Sequence, residues 1–231
     1  MKCDKIDLIN NQMQIGDKIL DLGSPVIGAD GYRSVVSKNI AEVNNKNLEY
    51  VNIEHSYKEL TISPKNNEYQ MEPNSLHIWP RRDMMMIALP NLDRSFTCTL
   101  FMKQTGDDSF DSIKTKEDLY AFFEKYFFDS LSLISNIENH FFKNPTGKLI
   151  GLRCPSWYYQ DRMLSIGDAA HATVPFYGQG MNASFEDCFI LSEIITRNGT
   201  LDWEEIFQEF YSTRKKDADV ILDLSLDNYR V

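Results

Sequence analysis

The residues best suited to chemistry in this sequence lie between Leu164 and Cys188. An apolar run ending at Ile166 leads into Gly167 and the carboxylate of Asp168, followed by Ala169, Ala170 and His171. Small residues at that point let a ligand approach the backbone closely. A loop with Pro175, Phe176, Gly178 and Gln179 then enters a helical pattern whose first residues are Gly180, Met181 and Asn182. A helix N-terminus offers N–H groups with no intrahelical partner and the positive end of the helix dipole. That suits an electron-rich oxygen or a ring that gains negative charge. Asp168, at a strand end, suits the hydroxyls of a sugar or polyol as hydrogen-bond donors. On residue types alone a plain strand–loop–helix reads equally well, since a lone Gly-x-Gly is a weak signal.

A second candidate turn is Gly28-Ala29-Asp30-Gly31, with Ser34 after it. A short apolar strand from Pro25 ends there in small residues, and a helical pattern opens at Tyr32 and carries Val35 and Val36. Strand, tight turn and helix form the unit from which nucleotide-binding α/β folds are built. The cysteines are Cys3, Cys98, Cys154 and Cys188, with no Cys-x-x-Cys pair and no His at ligand spacing beside one. Free, mostly buried thiols and no metal site are therefore expected.

The elements around these turns follow from periodicity. Ile6, Leu8 and Ile9 begin a set of short strands over 6–22, with a hairpin tip at Ile15-Gly16-Asp17. From Val51 to Met102 the texture is β. Strands are expected at 59–62, 75–80, 84–89 and 95–101, with turns at Pro64–Asn67, Pro80–Asp83 and Pro90–Asp93. Consecutive strands with short turns predict an antiparallel sheet, with an apolar face over a cavity. At 115–127 the period changes. Leu119, Phe122, Phe123 and Phe127 sit at helical spacing, and Thr115 with Asp118 forms a capping signature. Strand texture returns over 148–166, and a helix runs from Gly180 to a stop at Asn198-Gly199. Trp203 to Leu226 reads as one long helix or two.

Composition sets outer bounds. The chain has 231 residues, 42% hydrophobic and 25% charged, which is globular rather than disordered. A net charge of −10 argues against nucleic-acid binding, which needs clustered Lys and Arg. No apolar stretch reaches the roughly 18 residues that cross a bilayer, and charges near Lys5 and Asp7 do not suit a signal peptide. A cytoplasmic, intracellular chain is the expectation.

Taken together, Gly167-Asp168-Ala169-Ala170-His171, Pro175 and Gly178-Gln179-Gly180-Met181-Asn182 resemble the second flavin motif of the class A flavin-dependent aromatic hydroxylases. Gly28-Ala29-Asp30-Gly31 with Ser34 resembles that family's Asp-Gly fingerprint, which lies near the flavin and NADPH pyrophosphates. One departure is Ser37, where the family usually has Arg; Arg33 and Lys38 are the nearby cations. Tyr57–Ile62, Met71–Arg81, Met86–Met102 and Phe185-Glu186-Asp187-Cys188 are similar to the family's kynurenine-hydroxylating branch.

The resemblance implies a mixed α/β fold. A partial Rossmann-like FAD-binding domain (1–50 and 145–231) would carry an inserted antiparallel β-sheet substrate domain (51–144). It implies FAD as cofactor, NADPH as reductant, O2 and L-kynurenine as substrates, and no catalytic side chain, because the flavin performs the chemistry. Asp30, Gly167, Asp168, Pro175, Gly180, Met181 and Asn182 would contact the cofactor. Phe176, Gln179 and Asn228 would contact the substrate, and His171 would pack or hydrogen-bond. Family members open with a strand and Gly-x-Gly-x-x-Gly for the FAD pyrophosphate, absent from this sequence. They often continue into an anchor in the mitochondrial outer membrane. Both ends of this chain are thus expected to be cut, with negligible turnover by the chain alone. Another aromatic hydroxylase of the class, or a non-catalytic fragment that binds a partner, remain the alternatives.

Overall fold

The computed structural model describes residues 3–230 except 9, 24 and 200, and only the backbone of Arg230. Ile9, expected in the first strand, lies outside the described residues. The chain divides into two compact units. One runs up to Asn52 and resumes at Ile150; the other is Ile53–Leu149.

In chain order, β1 (Lys5–Asp7), β2 (Gln12–Ile15) and β3 (Lys18–Asp21) form an antiparallel meander. Next, β4 (Val26–Gly28) turns into α1 (Val35–Val43). The helix begins three residues later than the sequence pattern suggested. Gly31 takes φ +80, Asp30 Oδ2 accepts from the Val35 N–H at 2.8 Å, and Ser34 Oγ accepts from the Ser37 N–H at 2.9 Å. These side chains satisfy the donors that open a helix, so helical backbone starts only after Ser34.

The sheet region follows as β5 (Glu49–Ile62), β6 (His77–Arg81), β7 (Met84–Pro90) and β8 (Phe96–Lys103). Three helices come next: α2 (Lys116–Tyr126), α3 (Phe128–Leu131) and α4 (Ile137–Lys143). The Thr115–Asp118 capping box opens α2 as expected. The two shorter helices are additions to the sequence reading. The chain then forms β9 (Gly147–Arg153), β10 (Tyr158–Tyr159), β11 (Met163–Ser165), α5 (Asp168–His171), α6 (Gly180–Arg197) and a single long α7 (Trp203–Arg230). No Gly or Pro interrupts α7. Its buried stripe of Phe207, Phe210, Arg214, Ala218 and Leu222 keeps helical spacing throughout, so one helix forms rather than two.

The five-stranded sheet has the order β6-β7-β8-β5-β9, with antiparallel pairing of β5, β6, β7 and β8. Its buried face presents Leu60, Ile62, Met86, Ala88, Phe96, Cys98 and Leu100. The expectation that this face covers a cavity is corrected. Leu119, Phe122 and Phe123 of α2, with Phe127, Ile137 and Phe141, pack in the same core. Large aromatic side chains fill that volume, as close packing requires.

In the other unit, β4 and β11 pair in parallel, with Val26 opposite Met163, Ile27 opposite Leu164, and Gly28 opposite Ser165. The pairing places the two candidate turns side by side at the C-terminal ends of adjacent parallel strands. Ligands gather at that end in open α/β sheets. Gly28 is required by packing: a Cβ there would lie 2.5 Å from Val36 Cβ, where α1 crosses the strand. Among the described residues no helix is long and apolar enough to cross a membrane.

Candidate functional site

A cavity of about 650 Å³ opens where the two turns meet. Ala29 and Gly31 line it from the first turn, and Gly167 and Asp168 from the second. Pro175, Gly180 and Met181 line it from the loop and the start of α6. Five of the expected cofactor residues therefore share one cavity. Asp30 and Asn182 are not among its lining residues. The Asp30 carboxylate is engaged at the start of α1, and Asn182 Nδ2 donates to Gln179 Oε1 at 3.0 Å.

Backbone geometry explains the glycines. Gly167 has φ 57 and ψ −143, a combination that side-chain-bearing residues avoid. A Cβ there would also stand 3.1 Å from Ser184 Oγ. Gly178 takes φ +66 just before α6. At Gly180 a Cβ would meet Thr173 Cγ2 at 3.2 Å, so the lack of a side chain keeps the helix entrance open. No side chain caps α6: its N-cap residue, Gln179, makes no capping bond. The first N–H groups of an 18-residue helix thus start at the cavity wall.

Asp168 opens α5 with its side chain exposed at the cavity. The walls around it raise its carboxyl above the ordinary range by desolvation, partly offset by His171. Hydroxyl donors at the cavity would favour the charged form of this carboxylate, which matches a polyol ligand.

Two of the expected substrate residues, Phe176 and Asn228, meet each other. Asn228 Nδ2 donates to the Phe176 carbonyl at 3.2 Å, and the Phe176 and Tyr229 rings lie 5.1 Å apart. Phe176, Gln179 and Asn228 are not among the cavity's lining residues. Cys188 corrects the expectation of mostly buried thiols: it is exposed and lines the cavity, while Cys98 and Cys154 are buried.

Beneath the cavity lies a cluster that sequence reasoning missed. Asp187 is fully buried, with Arg214 and His171 beside it. His171 Nε2 stands 2.6 Å from Asp187 Oδ2, and Arg214 Nε donates to Oδ1 at 2.9 Å. Burial pushes the Asp187 carboxyl up, but hydrogen bonds from His171, Arg214 and the Gly167 N–H outweigh it and hold it below the ordinary range. Asp187 is therefore ionised, and His171 is the donor between them. The signal for this cluster was present: Ala183, Asp187, Leu191 and Ile194 form the buried stripe of α6, and a carboxylate on such a stripe demands partners. Which partners it takes is a tertiary fact. Ser37, where the family resemblance led one to expect Arg, is also fully buried.

Comparison with known proteins agrees with this geometry. The family described as "FAD binding domain" matches residues 25–200. Kynurenine 3-monooxygenase of Christiangramia forsetii is 46% identical over 205 residues, 88% of this chain and 46% of that protein. The Flavobacterium johnsoniae protein of the same name is 48% identical over 208 residues, again 88% of this chain and 46% of the relative. The chain thus spans about half the length of these curated relatives. Among solved structures, Klebsiella pneumoniae HpxO complexed with FAD and uric acid superposes with a TM-score of 0.73 at 17% identity. That match covers 99% of this chain and 56% of HpxO, and it shows a common fold.

Proposed function

The chain belongs to the FAD-binding domain family of the class A flavin hydroxylases, and from that premise we propose that it forms part of a flavoprotein monooxygenase that hydroxylates L-kynurenine at the 3-position. One observation carries the reading: the two βα turns and the uncapped start of α6 converge on a single cavity at the C-terminal ends of a parallel strand pair. The cavity fits the isoalloxazine and ribityl part of FAD. Gly167 and Gly180 leave room for a ring and chain against the backbone, because a Cβ at either would crowd its surroundings.

Bound FAD, reduced by NADPH, would supply the activation of O2 and the transfer of one oxygen atom to an aromatic ring. The protein's residues do the rest. Asp168 would accept hydrogen bonds from ribityl hydroxyls. The unpaired N–H groups at the start of α6, at Gly180, Met181 and Asn182, would favour a ring that gains negative charge on reduction. Asp30 sets the start of α1 and would, through it, shape the first turn for the cofactor. Pro175 lines the cavity wall and would pack against the cofactor. Phe176, Gln179 and Asn228 are assigned to the substrate side. The unit that resumes at Ile150 is assigned to cofactor binding and the β-sheet unit to the substrate domain. L-kynurenine as the substrate rests on the names of the relatives, and NADPH and O2 as co-substrates on the class.

The test is to titrate the chain with FAD and with riboflavin, following the quenching of flavin fluorescence. Binding of one flavin per chain is expected. A chain that quenches neither flavin would overturn the cofactor assignment. L-kynurenine-dependent NADPH oxidation, with 3-hydroxykynurenine measured directly in the protein that carries this chain, tests the substrate.

A further inference from the structure

We propose that Asp187 is a positioning residue. Its buried carboxylate sets the backbone of the Gly167–Asp168 turn and so aims Asp168 at the cofactor's hydroxyls. The identity of the ligand rests on the flavin reading above; the positioning itself stands on the geometry.

One oxygen, Asp187 Oδ2, accepts two hydrogen bonds. The Gly167 N–H donates at 2.8 Å and His171 Nε2 at 2.6 Å. These donors flank α5, which is four residues long. Gly167 precedes its first residue, Asp168, and His171 is its last. A single carboxylate thus ties down both ends of the short helix that begins with Asp168, which lines the cavity. A four-residue helix has too few internal hydrogen bonds to hold its own direction, so the direction of Asp168 depends on what fixes the ends. The His171 ring is further held against Trp157, with centroids 5.0 Å apart.

The remaining bonds fix the carboxylate itself. Arg214 Nε on α7 donates to Oδ1 at 2.9 Å, Arg214 Nη1 lies 2.7 Å from Glu186 Oε2, and Nη2 donates to the Ala183 carbonyl at 3.3 Å. Asp187 sits on α6, two turns beyond the Gly180 entrance. The same helix therefore carries the N–H groups on one wall of the cavity and the acceptor that shapes the other. A buried ion pair is poor evidence for stability, since apolar residues of similar volume often replace one without loss. What apolar residues cannot reproduce is an acceptor for the Gly167 N–H, and glycine's wide backbone freedom leaves that turn dependent on the bond.

Two double variants of the full chain separate these roles, and both remove the two charges together. In D187N/R214Q an amide oxygen can still accept from Gly167, while the amide NH2 turns to the glutamine. In D187L/R214M no acceptor remains. Hydrogen exchange at the Gly167 amide is measured first, without ligand. Dissociation constants are then measured for riboflavin, which carries ribityl hydroxyls, and lumiflavin, which has a methyl group instead. Relative to D187N/R214Q, the D187L/R214M chain should lose Gly167 amide protection. Its riboflavin affinity should fall about tenfold, the worth of one well-placed hydrogen bond, with lumiflavin affinity unchanged. A general loss of stability would lower both affinities together. Equal Gly167 protection and equal riboflavin-to-lumiflavin ratios in the two variants would overturn the proposal. If the unmodified chain binds neither flavin, the flavin reading fails, and the exchange difference alone decides the positioning role.

Discussion

Ser37 and Ser165, 128 positions apart in sequence, meet hydroxyl to hydroxyl at 2.8 Å inside the unit that resumes at Ile150. Ser37 Oγ also donates to the Ala169 carbonyl at 2.5 Å, so Ser165 is the donor between the two hydroxyls. One side chain of α1 thereby links the end of β11 to the short helix that carries Asp168. Replacing Ser37 with Ala leaves the Ala169 carbonyl and the Ser165 hydroxyl without these partners in a buried site. The expected loss is about 1–3 kcal/mol, read from urea unfolding. Replacing Ser37 with Arg should destabilise the chain severely, because the position is fully buried and its hydroxyl sits between Ser165 and the Ala169 carbonyl. An Arg variant with the parent chain's unfolding midpoint would count against this account.

Gly167→Ala combines two costs. The residue must hold φ 57 and ψ −143, and its new Cβ would press on Ser184. Strain of this kind is worth about 1–3 kcal/mol. Adding Ser184→Ala should relieve the crowding and leave the backbone strain. Full recovery of the unfolding midpoint in the double variant would show that the strained backbone costs nothing.

Gly180→Val tests the helix entrance. The added side chain would crowd Thr173 and cover the first N–H groups of α6. Flavin affinity should fall by at least about tenfold, or 1.4 kcal/mol, with a small change in stability because the site is only half-buried. An unchanged dissociation constant would remove the α6 N-terminus from the cofactor assignment.

Asp168 provides a pH signature. Its carboxyl is raised in the folded chain by desolvation, so the folded state binds its proton more tightly than the unfolded state. That contribution to stability is fully present below the ordinary carboxylate value of 3.8 and is lost as pH rises through the higher folded value. Asp168→Asn should therefore be more stable than the parent chain at pH 7, with the difference vanishing near pH 3. Urea midpoints at the two pH values check the sign. A parent chain that is the more stable at pH 7 contradicts it.

Arg214→Met leaves Asp187 charged and buried with His171 and the Gly167 amide as its remaining partners. Removing one member of a buried ion pair costs about 3–5 kcal/mol, so the single variant should unfold far more readily than D187L/R214M. The comparison of their urea midpoints is the measurement. If the single variant is as stable as the double, the pair is not electrostatically coupled.

Much of the local structure was legible before any coordinates. Thr115 and Asp118 announce the start of α2, and Leu119, Phe122 and Phe123 keep the spacing of a helix with one apolar face. The alternation in Phe96–Lys103 and the turns at Pro80–Asp83 and Pro90–Asp93 marked strands that the structure contains. Gly167, Asp168, Pro175, Gly180 and Met181 could be picked out because the whole stretch from Gly167 to Asn182 resembles a family motif, while residue types alone left a plain strand–loop–helix open. The helix and strand signals depend on residues two to four apart, which the chain brings together by its own geometry.

The features that the sequence left open depend on partners far along the chain. Periodicity showed that the sheet has an apolar face, and only the folded core showed that the phenylalanines of α2 fill it. Nothing local announces the parallel pairing of β4 with β11, which turns two separate turns into one cavity. Asp187 could be recognised as a carboxylate on a buried stripe, yet its partners at Gly167, His171 and Arg214 lie 16 to 27 positions away. Ser37 gave no hint of Ser165. A buried polar group must find partners, but the same requirement is met by any donor that packing happens to deliver. Sequence therefore determined which residues could serve the site, and tertiary packing decided which of them meet.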